Sequence, residues 1–395
     1  MRVLLAFDKY KGSLSATAAC ATAADAISAV RPEIHVTQKP LSDGGEGFCE
    51  IVTEALGGEF RDYRVTYPDL SSGSARVGYV AISTLTDSLR QRLHLPKQGL
   101  LAIVEMAQAA GHHLVGNTSR DPWQYTTAGV GELLHYAAGE GATAVLMGLG
   151  GSATQDMGIG LLEAWGLTAR DASGAWVSPL LPINWHRVSQ WNAPDGLPQL
   201  QLRLACDVRN PLHGPFGAAA VFGPQKGMRP DDLPRMQQCM EQACRQLLRT
   251  RGMRSVDPAQ PGMGAAGGLP FGISLAFQNL IVPGFELICD VLDLDQAIQN
   301  SDLVLTGEGS LDASSLSGKG PVEIARQCAK FNTPVCILPG KATPDATQSL
   351  ANLHPDVTVH PLGDPNASVE TNIKNEATHL REAVQHFIQH FPPSA

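Results

Sequence analysis

Strand and helix patterns alternate at both ends of the chain, and a glycine- and proline-rich middle separates them; together these predict an α/β protein. The expected architecture is a discontinuous, parallel-sheet, Rossmann-like domain made of residues 1–65 and 285–395. A second α/β domain, residues 66–284, is expected as an insertion in it, with an active-site cleft between the two. A chain of 395 residues is long enough for two hydrophobic cores. At the N-terminal end RVLLAFD reads as a buried strand, the alanine-rich stretch from Ser15 to Val30 as a helix, and IHVTQKP as a second strand. FCEIVTEALGG follows as a second helix, stopped by Gly57 and Gly58. Such alternation implies parallel pairing with right-handed crossovers. The same rhythm returns in DLVLTGEGS, PVEIARQCAKF, PVCILPG and DVTVHPLGD, and closes with the helix TNIKNEATHLREAVQHFIQHF.

Composition narrows the function classes. Hydrophobic residues make up 43% of the chain and charged residues 17%, which describes a core-forming protein rather than a disordered one. The net charge of -9, without any run of five basic residues, argues against nucleic acid or an anionic membrane as partner. No run of about 18 apolar residues occurs, and the N-terminal apolar stretch is too short for a signal peptide, so the cytoplasm is the expected compartment. The 8 cysteines are scattered without a C-x-x-C pair and are expected as reduced thiols. A monomer and a homodimer are both compatible with the sequence.

In a parallel sheet, ligands collect beyond the carboxyl ends of the strands. Four loops fall at such positions: DKYKGS (Asp8 to Ser13), SDGGEG (Ser42 to Gly47), GLGGSATQD (Gly148 to Asp156) and GEGSLD (Gly307 to Asp312). They supply backbone amides, lysines and carboxylates, the mixture that phosphoryl transfer uses. A competing pattern lies in the third loop, where Gly148, Gly150 and Ala153 satisfy G-x-G-x-x-A and Asp171 follows about 20 residues on, as in a dinucleotide-dependent oxidoreductase. Its context disagrees, because the motif lies mid-chain and Asp171 sits in the polar segment LTARDASGAW. The Walker P-loop is absent, since Gly318-Lys319 and Gly340-Lys341 lack both the earlier glycine and the following hydroxyl. Glycines in such loops also serve tight turns, Ser13 or Ser15 suits a helix N-cap, and His112-His113 reads as filler. A non-catalytic metabolite-binding protein is the third class considered.

Longer segments carry a family resemblance. FDKYKGSLSA, PLSDGGEGF, EMAQAAG, RDPWQYTTAGVGELLHYA, GLGGSATQDMGIGLLEAWG, ACDVRNPLHGPFGAAAVFGPQKGM, PGMGAAGGLPFG and DLVLTGEGSLDASSLSGKGP occur in order along the chain. With these the chain resembles the type 1 glycerate kinases almost from end to end. The resemblance implies a two-domain α/β fold with one domain inserted in the other. It also implies ATP- and Mg²⁺-dependent phosphorylation of D-glycerate, commonly to 2-phosphoglycerate; formation of 3-phosphoglycerate, or action on a related hydroxy acid, is the alternative. Departures from the family pattern are Gln155 and Met157 where Asn-Asp-Gly-Gly is usual, Phe48 for Thr, Ser310 for Arg, Ser314-Ser315 for Gln-Thr, and a divergent stretch AISTLTDSLRQRLHLPKQG.

A kinase of this kind needs a bound carboxylate, a poised hydroxyl and a neutralised γ-phosphate. Asp207, just past the apolar strand QLRLAC, is the first choice to orient the hydroxyl, with Asp8 second. Lys11 and Lys9 are expected to bring positive charge to the transferring group. Arg120, then Arg209, suits the substrate carboxylate, with Thr126 and Thr127 beside it. Ser13, Gly148, Gly150, Gly151, Ser152, Gly307, Gly309 and Lys319 are the expected phosphate contacts, and Asp43, Glu46, Asp156, Glu308 and Asp312 the pool for Mg²⁺.

Overall fold

A computed structural model describes residues 1–116, 120–313, 315–317 and 320–391. The chain folds into two compact units, Met1–Asp43 with Phe285–Ala395, and Gly44–Gly284. The first junction therefore falls at Asp43 rather than near residue 65. The reason is local packing: the helix Phe48–Ala55 buries Phe48, Cys49, Ile51 and Val52 against the strands Ser72–Ala81 and Leu100–Glu105. Glu59–Thr66 is likewise tied to the second unit, pairing antiparallel with Ser72–Ala81 along its whole length.

The first unit holds a five-stranded, wholly parallel sheet in the order Val357–Val359, Val335–Ile337, Leu303–Gly307, Arg2–Phe7, His35–Gln38. Numbered along the chain this is the doubly wound order 2-1-3-4-5, whose switch point lies between Arg2–Phe7 and Leu303–Gly307. Those two strands are buried on both faces, which explains why VLLAF and LVLTG are continuous apolar runs rather than alternating ones. The helix Ala16–Val30 starts at Ser15, whose hydroxyl accepts the Ala18 N–H, so of the two serines considered it is Ser15 that caps. Its alanine face lets the C-terminal helix Val369–His390 approach closely, and Ala19, Ala23 and Ile27 share a core with Leu380, Val384 and Ile388.

The second unit is built on a six-stranded sheet in the order Gln278–Val282, Gln201–Ala205, Ala142–Gly148, Leu100–Glu105, Ser72–Ala81, Glu59–Thr66. The first four are parallel, and the last two form an antiparallel edge. The helix Leu233–Arg249 places Met236, Met240, Ala243, Cys244 and Leu247 on one buried stripe, the spacing of an amphipathic helix. Trp185 and Trp191 join the same core, so the irregular-looking middle of the chain folds around substantial apolar side chains. Among the described residues, no helix is long and apolar enough to cross a membrane.

Candidate active site

Phe7 stands opposite Gly307 in the parallel ladder of the first unit, so Asp8 and Glu308 leave adjacent strands side by side at the switch point. Each is only 6% exposed. The Asp8 amide donates to the Gly307 carbonyl at 2.9 Å, and the Lys9 amide donates to Asp8 Oδ1 at 2.6 Å. Gly320 opens the helix Gly320–Phe331, and a Cβ there would lie 3.9 Å from Asp8 Oδ2. A carboxylate so near a helix N-terminus meets the positive end of the dipole.

The neighbouring expected residues divide into groups. Lys9 Nζ donates to Asp43 Oδ1 at 3.1 Å, so these two largely neutralise each other. Lys11 is exposed, and its amide would lie 3.0 Å from a Cβ on Gly309. Gly307 has no room for a side chain, because Tyr10 Oη crosses it to donate to the Leu338 carbonyl at 2.5 Å. Ser13, expected to touch phosphate, instead donates to Glu376 of the C-terminal helix and to the Tyr10 carbonyl. The Asp312 carboxylate accepts the Ser310 hydroxyl at 3.3 Å within its own turn. Lys319 lies outside the described residues.

The carboxyl ends of the parallel strands in the second unit deliver Glu105, the loop from Gly148 to Asp156, Asp207 and Gly284. Asp207 sits past its strand as its sequence position implies and is exposed; its Oδ1 accepts the Gly284 N–H at 2.8 Å. Gly284 begins the helix Gly284–Leu292, and a Cβ on it would come within 2.9 Å of Asp207 Oδ2. A helix-terminal amide thus orients the carboxylate.

The GLGGSATQD loop has a different role from the one its glycines advertise. A Cβ on Gly148 would lie 2.4 Å from the Gly44 carbonyl, and one on Gly150 would lie 2.5 Å from Gly45 Cα. These glycines exist so that two glycine loops can interlock. The amides of Leu149, Gly150 and Ala153 donate to the carbonyls of Ala205, Gly44 and Ala110 at 3.3, 2.9 and 2.8 Å, so the protein uses them itself. Gly151 has a φ of +75°, and its carbonyl accepts the His112 N–H.

Asp156 is corrected most clearly. It is 1% exposed, and its carboxylate accepts the Thr127 N–H and hydroxyl and the Gly158 and Gly160 amides at 2.8, 2.8, 3.2 and 3.1 Å. Burial pushes its pKa up, and the four donors oppose that shift. The anion at this helix start is the protein's own carboxylate, buried and engaged by four donors, three of them on Oδ2. Thr126 and Thr127 are buried with it: Thr127 Oγ1 also accepts the Leu161 N–H, and Thr126 Oγ1 accepts the Ala128 N–H. Both brace the interior rather than face a substrate. The dinucleotide pattern fails on the same grounds, since Asp171 closes its own turn by accepting the Ser173 and Ala175 amides.

Sequence reasoning missed three residues here. Lys226 is 2% exposed and donates to Ser152 Oγ at 2.8 Å and to the Thr154 carbonyl at 2.6 Å; burial lowers its pKa to about 7. Glu105, the last residue of the strand LLAIVE, accepts the Gly47 and Cys49 amides at 3.1 and 3.2 Å and anchors the helix that follows SDGGEG. His113 is not filler: it lies 3.7 Å from Glu46, which raises its pKa. A charge at the end of an apolar strand was the available signal for Glu105; nothing local distinguishes Lys226 from a surface lysine. Arg120 is partly buried with Gly227 packed on it, whereas Arg209 is exposed.

Among the described residues, no group of three or more His, Cys, Asp or Glu side chains is placed to hold a metal. Mg²⁺ in kinases needs one or two carboxylates, with phosphate oxygens and waters completing the octahedron. Asp8 and Glu308, which leave adjacent strands, offer such a pair of carboxylates.

Parallel α/β sheets with carboxylates at their strand ends, and no Walker loop, are an architecture on which a phosphotransferase of non-Walker type can be built. Residues 3–391 match the glycerate kinase family, and the chain belongs to that family. It is 33% identical to the glycerate kinase of Haemophilus influenzae, over 86% of both chains. It is 32% identical to the glycerate 2-kinase of Escherichia coli, over 87% of this chain and 86% of that one. A solved structure from Salmonella typhimurium LT2, assigned as a glycerate kinase 2, superposes with a TM-score of 0.72 at 30% identity, covering 98% of this chain and 97% of the other. The protein is accordingly a kinase, with ATP as co-substrate.

Proposed function

We propose that this kinase transfers the γ-phosphoryl group of ATP to the 2-hydroxyl of D-glycerate, giving 2-phosphoglycerate. The family match across residues 3–391 carries the reading, and the Escherichia coli relative named glycerate 2-kinase favours the 2-position. Asp207, oriented by the Gly284 amide, accepts a hydrogen bond from the acceptor hydroxyl and turns its oxygen toward phosphorus. Arg120, seconded by Arg209, binds the substrate carboxylate as a planar donor pair. Lys11 offsets negative charge on the transferring group. Asp8 and Glu308 hold Mg²⁺ at the switch point, and the ion's contribution when bound is to neutralise phosphate charge.

Incubating the protein with ATP, Mg²⁺ and D-glycerate and recording the phosphorus NMR spectrum tests this. The resonance of 2-phosphoglycerate is expected. A 3-phosphoglycerate resonance would overturn the regiochemistry, and the absence of any phosphoglycerate would overturn the substrate.

A further inference from the structure

The segment FGPQKG touches two parts of the candidate site in the second unit. Lys226 reaches one side: its Nζ donates to Ser152 Oγ at 2.8 Å and to the Thr154 carbonyl at 2.6 Å, on the loop that also pairs with Ala110 and His112. Gly227 reaches the other. It has a φ of +95°, and a Cβ on it would lie 2.5 Å from Arg120 Cβ and 2.8 Å from the Arg120 carbonyl. Consecutive residues of one turn therefore set the glycine loop and seat the arginine.

A lysine inside a protein is costly unless its donors are met. Lys226 is buried among polar atoms: Ser152 and Thr154 accept from it, and Asp156 is the ionised group that acts on it. Beside them Thr154 Oγ1 and Gln155 Oε1 are buried without a hydrogen-bond partner, so the polarity of this cluster exceeds its internal bonding. An apolar side chain would fill the same space more cheaply but would leave the Thr154 carbonyl and Ser152 hydroxyl without this donor.

We infer that Lys226 is a positioning residue for substrate: by cross-bracing Ser152 and Thr154 while Gly227 seats Arg120, the FGPQKG turn fixes where the D-glycerate carboxylate is held. The inference rests on the reading of Arg120 as the carboxylate ligand. A residue that acted on stability alone would lower the amount of folded enzyme without discriminating between the two substrates.

Steady-state kinetics of the full-length wild type, Arg120→Ala, Lys226→Met and Gly227→Ala test it. Lys226→Met and Gly227→Ala are each expected to raise the KM for D-glycerate at least tenfold and to leave the KM for ATP within twofold. Ser152→Ala removes one Lys226 acceptor and carries the measurement if Lys226→Met does not fold: a raised D-glycerate KM with an ATP KM within twofold is expected, and an unchanged D-glycerate KM overturns the role. A folded Lys226→Met enzyme with an unchanged D-glycerate KM, or with both KM values raised alike, overturns the positioning role. The other readings fail differently: a wild type without D-glycerate turnover removes the substrate assignment and this role together, whereas an unaffected Arg120→Ala removes the carboxylate ligand.

Discussion

Asp207 and Asp156 both follow strands of the same sheet, yet the structure gives their carboxylates opposite environments. Asp207 is exposed and accepts a helix amide, while Asp156 is buried and holds four donors. Asp207→Asn keeps an acceptor for Gly284 and removes the charge. Its kcat is expected to fall by roughly 10²- to 10⁴-fold with an unchanged melting temperature, and kinetics near the wild-type level would remove Asp207 from the chemistry. Asp156→Asn replaces acceptor oxygen with a donor facing other donors and is expected to cost roughly 2–4 kcal/mol in urea unfolding. Unchanged unfolding with a loss of Mg²⁺ dependence would restore Asp156 as a metal ligand. Lys226 adds a pH signature. Its folded pKa is lowered to about 7, against about 10.4 in an unfolded chain, so between those values the unfolded state binds more protons. The stability it governs rises with pH across that window and is level below about 7. Urea midpoints from pH 6 to 9 should show a positive slope in the wild type that Lys226→Met lacks.

The elements of the first sheet were legible because burial on both faces writes itself as a continuous apolar run, and QLRLAC located Asp207 for the same reason. The packing of GLGGSATQD is not legible in the sequence because its partners are remote. Nothing within the motif says that Gly44 and Gly45 lie against Gly148 and Gly150, or that three loop amides end on Ala205, Gly44 and Ala110. The antiparallel edge was illegible in a different way: EFRDYRVT carries four charges, and its register with Ser72–Ala81 decides its unit more than its composition does. Met157 occupies a position where the family pattern has glycine, and its φ of +53° retains the glycine conformation at the cost of backbone strain. Glycine substitutions separate packing from permissiveness. Gly148→Ala, whose Cβ would meet the Gly44 carbonyl at 2.4 Å, is expected to destabilise by roughly 1–3 kcal/mol or more. Gly139→Ala, at an exposed helix end with nothing within 4 Å, is expected to be neutral or to stabilise by up to about 1 kcal/mol. Equal effects in thermal unfolding would contradict the interlock.

At the scale of the whole molecule, the second unit is one contiguous piece, Gly44–Gly284, with its own core, whereas the first is assembled from both ends of the chain. Residues 44–284 expressed alone are expected to unfold cooperatively, with the near-ultraviolet circular dichroism of buried Trp123, Trp185 and Trp191, and to lack kinase activity because Asp8 and Glu308 are missing. A molten fragment would show that its core depends on the rest of the chain. The interlocked glycine loops also impose an order in time. Gly150 donates to Gly44 and Leu149 to Ala205, so this one knot joins segments far apart in the chain and cannot close until the strands that carry them have found their register. Closure of the knot therefore comes after pairing of the strands that carry it, because its loops are held by one another and by those strands.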